Sequence, residues 1–94
     1  MRTISVLYTG QLAALAGCSE EDVAVDEGAA LGRVVEELSG RHGDGFRDLI
    51  CDGEGKLLGT VLVAFDGRQM QGERDGLSLD GVKEVMLMTP IAGG

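Results

Sequence analysis

The 94-residue chain sets sixteen Asp and Glu against eight Lys and Arg, a net charge of −8, and holds only one Tyr and two Phe. Phosphate backbones are bound by cations and unstacked bases by aromatic faces, so this balance argues against nucleic acid and for electropositive protein partners. An apolar fraction of 44% is enough for a core of Leu, Val, Ile and Met, and a chain this short builds one core, so a single domain over residues 1–94 is expected.

Ile4, Val6 and Tyr8 alternate with Ser5, Leu7 and Thr9, the period of a strand with one face in a core. This start lacks the basic and then apolar blocks of a signal peptide, and no run approaches membrane-spanning length, so a cytoplasmic protein without membrane association is expected. Thr9 stands at an N-cap position before a short helical segment, Gln11 to Ala16, with Leu12, Leu15 and Ala16 on one side and Gly17 as its stop. Val23 and Val25 alternate with Asp22, Ala24 and Asp26 as a second strand, broken by Glu27-Gly28.

Leu31, Val34, Val35 and Leu38 recur at i, i+3, i+4 and i+7, which predicts the main helix from about Ala29 to Arg41. Glu27 near its start and Arg41 near its end suit the helix dipole, and Gly43 can end it. Phe46, Leu49 and Ile50 suggest another helical turn before an exposed loop, Asp52-Gly53-Glu54-Gly55. A strand within Leu57 to Phe65 meets Asp66-Gly67, a dipeptide suited to a tight hairpin into Arg68 to Gln71. Leu77 and Leu79 precede a second Asp-Gly, Asp80-Gly81, and a final apolar strand runs from Val85 to Met88.

The first and last strands are apolar enough to sit side by side at the centre of the sheet, where their pairing would be parallel. The expected class is α+β: a β-grasp (ubiquitin-like) mixed sheet with one main helix across one face, and residues 89–94 as an extended C-terminal tail. Alternation puts Ile4, Val6, Val63, Phe65, Val85 and Leu87 toward the helix. Leu7, Leu62, Ala64, Met86 and Met88 then face away as an apolar patch that marks an interface, with Asp75, Asp80 and Glu84 around it.

Side-chain catalysis finds little support. The only His, His42, stands at a predicted helix end as a solvated residue, with no Cys or hydroxyl nucleophile at a recognisable spacing. Cys18 and Cys51 form no C-x-x-C pattern and read as buried, reduced thiols rather than as a zinc or redox site. Residues 52–55 lack the alternating ligands and distal Glu of a calcium loop, so no metal site is expected, and no Gly-rich phosphate loop occurs. Nucleotide, where used, would come from a partner.

The unusual feature is Pro90-Ile91-Ala92-Gly93-Gly94, in which side-chain bulk vanishes toward the carboxylate. Glycine has no Cβ, so Gly93 and Gly94 let the main chain enter a narrow channel and leave the Gly94 carboxylate open to attack.

Taken together, Ile4-Ser5-Val6-Leu7-Tyr8, Gln11-Leu12, Leu15-Ala16-Gly17, the helix at Leu31 to Leu38, Val63-Ala64-Phe65-Asp66-Gly67, Asp80-Gly81 and Pro90-Ile91-Ala92-Gly93-Gly94 resemble the ubiquitin-like sulfur carrier (MoaD/ThiS) family. The likeness runs nearly end to end and is greatest to the molybdopterin synthase small subunit. The sequence departs from the family at Thr89, where a first Pro is frequent, and at Asp66, where Asn is common.

What the resemblance implies is a carrier, not an enzyme. An E1-like adenylating enzyme, supplying ATP and Mg²⁺, would activate the Gly94 carboxylate, and a sulfur donor protein would displace AMP to give a thiocarboxylate. The tail, Pro90, Ile91 and Ala92 included, would then bind the molybdopterin synthase large subunit and deliver sulfur for the molybdenum cofactor. Delivery to cysteine or thiamine biosynthesis, and conjugation to lysines as a ubiquitin-like modifier, are the alternatives.

Overall fold

The alternation at the start of the chain folds as a strand. In the computed structural model, which describes residues 2–89, β1 (Arg2–Tyr8) buries Ile4, Val6 and Tyr8. α1 (Gly10–Ala16) follows, with Thr9 extended at the N-cap position but making no side-chain cap bond. Leu12 is fully buried there, whereas Leu15, expected on the same side, is 47% exposed. β2 (Glu20–Val25) pairs antiparallel with β1 and buries Val23 and Val25.

The 3.6-residue stripe gives α2 (Leu31–His42), whose Leu31, Val34, Val35 and Leu38 are all buried. This helix begins two residues later than the pattern predicts, because Ala30 is extended and bridges to Ser78. Glu27 therefore lies ahead of the first turn, while Arg41 and His42 occupy the last. Gly43, at φ +90°, ends α2 with its N–H on the Ser39 carbonyl. α3 (Asp44–Ile50) adds Phe46 and Ile50 to the core. Each such large apolar side chain taken from water contributes about 1.5–3 kcal/mol.

β3 (Leu62–Phe65) and β4 (Arg68–Met70) form the Asp-Gly hairpin. Asp66 and Gly67 have φ of +50° and +85°, the positive pair that a two-residue turn matched to strand twist requires. The Asp66 carboxylate also accepts the amides of Lys83, at 3.1 Å, and Glu84, at 2.9 Å. The turn is thereby clipped to the start of β5 (Glu84–Met88).

β5 lies between β1, to which it is parallel, and β3, to which it is antiparallel; the sheet order is β2-β1-β5-β3-β4. This is the mixed β-grasp sheet expected, and Ile4, Val6, Val63, Phe65, Val85 and Leu87 all belong to its buried face.

The apolar run before β3 is not strand throughout. Leu57 makes only an isolated bridge to Cys51, and pairing begins at Leu62. Between them Arg74, buried at 6% exposure, donates to the Val61 and Leu58 carbonyls. A guanidinium thus satisfies carbonyls that a neighbouring strand would otherwise need to reach. Of the two free thiols, Cys51 is buried as expected but Cys18 only partly; burial pushes the Cys51 thiol up. Among the described residues no helix is long and apolar enough to cross a membrane.

Candidate functional site

The register places the outward-facing residues in rows across the sheet. Leu7 pairs with Met86, Met86 with Ala64, and Leu62 with Met88, so the five apolar residues predicted to face away do meet on one face. Leu62 is 40% exposed, and Leu7, Met86 and Met88 are half-buried. Ala64 is buried, because its single methyl lies below the longer side chains on either side.

The rim differs from expectation. Glu20, opposite Leu7, and Gln69, opposite Ala64, end the central row. The next row joins Asp22, Ser5 and Glu84. Asp75 and Asp80 take no part. Asp75 accepts the Leu57 amide at 3.1 Å and Asp80 the Gly28 amide at 3.0 Å, both in the loops around the start of α2. A sequence pattern gives no sign of such capping, which depends on loops distant along the chain.

The patch surrounds the end of β5, and β5 ends at Met88. Half-buried Thr89 follows. Pro90, Ile91, Ala92, Gly93 and Gly94, the tail residues read as reactive or partner-binding, lie outside the described residues.

A second cluster escaped the sequence reading. His42 is not solvated: its side chain is 11% exposed, and its Nε2 lies 2.5 Å from Glu21 Oε2. The same oxygen accepts the Tyr8 hydroxyl at 2.5 Å, while Glu21 Oε1 accepts Arg41 Nη1 at 2.8 Å. Burial pushes the Glu21 carboxyl up, but the bonds from Tyr8, His42 and Arg41 together outweigh it and hold the group below the usual carboxylate range. Burial, reinforced by the bond to Glu21, raises the Tyr8 phenol far above its ordinary value.

Tyr8 also meets Phe46 edge-on, with ring centroids 5.5 Å apart. The cluster therefore fastens the C-terminal turn of α2 to the β1–β2 pair and holds the helix against the sheet that carries the patch. Among the described residues no group of three His, Cys, Asp or Glu side chains converges as a metal site.

No family model matches the sequence, and no curated protein does. Solved structures do. Small archaeal modifier protein 1 (SAMP1) of Haloferax volcanii is 24% identical, the match covering 99% of this chain and all of that one, at a TM-score of 0.83. The chain has the ubiquitin-like β-grasp fold. Urm1 of Trypanosoma brucei is 22% identical over 98% of this β-grasp chain and 95% of its own, at a TM-score of 0.74. A candidate molybdopterin converting factor subunit 1 of Pyrococcus furiosus is 23% identical over 97% of this chain and 100% of its own, at 0.71. At these identities the likeness establishes the fold, and a β-grasp fold shared with such proteins supports the resemblance read from the residues.

Proposed function

We propose that this chain is a ubiquitin-like sulfur carrier whose Gly94 carboxylate is the working group, acting as the small subunit of molybdopterin synthase. The observation that carries the reading is the placing of β5. The strand that leads to Gly93-Gly94 is bonded on both sides at the centre of the sheet and emerges beside the apolar patch. A tail fixed so firmly at its base can be presented to another protein's reaction chamber without large loss of orientation.

The chemistry is simple in outline. A carboxylate is a poor acyl donor, so its oxygen attacks the α-phosphate of ATP on an E1-like enzyme, pyrophosphate leaves, and an acyl adenylate results. The outer sulfur of a donor persulfide then attacks the acyl carbon and AMP departs, giving an acyl disulfide. A thiol attacks the donor's sulfur, breaks the S–S bond and releases the thiocarboxylate, leaving the donor as a mixed disulfide. Donors that stabilise the developing oxyanion belong to the partner, as do all catalytic side chains. Leu7, Leu62, Ala64, Met86 and Met88 supply the docking surface, where adaptable Met side chains suit two successive partners.

Incubating the protein with its activating enzyme, ATP, Mg²⁺ and a sulfur source is expected to yield a species heavier by the exchange of oxygen for sulfur, read by intact mass. Deletion of Gly94 is expected to abolish it while leaving the thermal midpoint unchanged. No mass change in the full-length protein would overturn the reading.

A second reading has its own support, since the SAMP1 and Urm1 structures match at TM-scores of 0.83 and 0.74. In it the activated acyl group passes to lysine amines of other proteins. Lysine-linked conjugates in cell lysate would select it, and co-purification with a pterin synthase large subunit would select the first.

A further inference from the structure

β2 is the longer free edge of the sheet, six residues against three for β4 at the opposite edge. Its pairing with β1 decides which backbone groups are spare. Tyr8 N–H donates to the Ser19 carbonyl at 2.9 Å, and the register continues through Val6 with Glu21 and Ile4 with Val23. In an alternating antiparallel ladder, residues 19, 21, 23 and 25 then bond to β1, while Glu20, Asp22 and Ala24 turn their amides and carbonyls to the open side. Arg41 bears this out, because its Nη1 reaches the Asp22 carbonyl from that side at 3.2 Å. The N–H and C=O of Ala24 have no strand beside them among the described residues.

Between this edge and α2 lies a groove of about 560 Å³ whose lining includes Val23, Val25, Val34 and Gly40, with two bases, Arg33 and Arg41, that are paired to Glu36 and Glu37. The three valines are buried and form an apolar floor. At Gly40 a Cβ would meet nothing within 4 Å, so the groove is open there. On the other face of β2 the exposed side chains are those of Glu20, Asp22 and Ala24. Residues 20–27 hold five acids, Glu20, Glu21, Asp22, Asp26 and Glu27, and no base.

We propose that this edge docks an extended, basic segment of a partner protein, which adds to β2 as a sixth strand. Alternate residues of the segment are apolar and seat in the groove against α2; those between are Lys or Arg and lie beside Glu20 and Asp22. The segment's backbone takes the Ala24 N–H and C=O, as in other cases of strand addition. It also replaces Arg41 on the Asp22 carbonyl, while Arg41 keeps Glu21 and Glu37. Charge selects this occupant. A second copy of the chain would set one acidic strand against another, and like charges directly opposite repel. A basic strand turns the same acids into attraction. Glu20 and Asp22 also border the apolar patch, but strand addition needs no acyl activation, so its test uses the protein without activation.

Titration of the ¹⁵N-labelled full chain with a short peptide of alternating Val and Lys is expected to shift the amides of Asp22, Ala24 and Gly40 to saturation. A peptide of alternating Val and Glu is expected to leave them unmoved. Gly40→Leu fills the groove at a position with room for the side chain and raises helix propensity; it should weaken binding about tenfold or more with stability kept. Asp22→Lys, at an exposed side chain, should weaken it about tenfold by charge alone. Three results would overturn the proposal. These are shifts spread over acidic residues generally with the Ala24 amide still, undiminished binding by both variants, or concentration-dependent self-association through β2.

Discussion

β5 and β2 are strands of one sheet with opposite circumstances. β5 is bonded on both sides, and Val85 and Leu87 are fully buried beneath it. Its outward side chains are those of Glu84, Met86 and Met88. β2 is bonded to a strand on one side only, turns half its polar backbone to the open side, where Arg41 takes the Asp22 carbonyl, and surrounds it with acids. The difference teaches that holding and recognising are divided between centre and edge. The last strand of the chain is bonded on both sides, and the strand with an open edge lies one strand removed from it.

The largest effect expected from this division is on stability. Leu87→Ala, in the fully buried row of β5, should cost about 3 kcal/mol by lost burial and the cavity left behind, read from the denaturant midpoint. A cost below about 1 kcal/mol would remove β5 as the anchor.

Next comes Glu21→Gln, which acts where β2 meets α2. Loss of the carboxylate that Tyr8, His42 and Arg41 share should cost about 1–2 kcal/mol near neutral pH. Because the folded group titrates below its ordinary value of 4.5, its contribution is present above that pH and is lost as pH falls through the lower folded value. Unfolding curves taken between neutrality and acid should therefore converge for the parent and the variant. Curves that stay parallel would mean that Glu21 contributes by shape alone.

The smallest change in stability belongs to Met86→Asp. The side chain is half-exposed on the outer face, so the fold should persist within about 1 kcal/mol. Under the proposed function, binding to an E1-like enzyme or a pterin synthase large subunit, followed by calorimetry, should weaken about tenfold or more. Unaltered binding would move the docking surface off the β5 face.

Much of the fold was legible because its signals are local. Period two in residues 4–8, the four-residue stripe of α2 and the Asp66-Gly67 turn each specify an element within a few residues, and the central parallel pair follows from which strands are most apolar. The five-residue patch was legible for the same reason, since strand parity alone decides the face. Polar contacts across the fold were not. Glu21 meets Tyr8 and His42 at sequence separations of 13 and 21, and nothing near His42 announces that a carboxylate awaits it. Arg74 was equally hidden, because an arginine reads as surface until the carbonyls it satisfies are placed. The strand within Leu57 to Phe65 was legible but its start was not, because apolar content does not distinguish a strand from a loop folded inward. Leu15 misled because a helix of two turns leaves its facing uncertain by a residue.

The parallel pairing of β1 with β5 has a mechanical consequence. Tension between Arg2 and Met88 draws the two strands past each other lengthwise, so their ladder is loaded in shear, with all its bonds sharing the force, instead of being peeled open one at a time. A pull on Met88 against Arg2 is therefore resisted by the whole β1–β5 ladder at once.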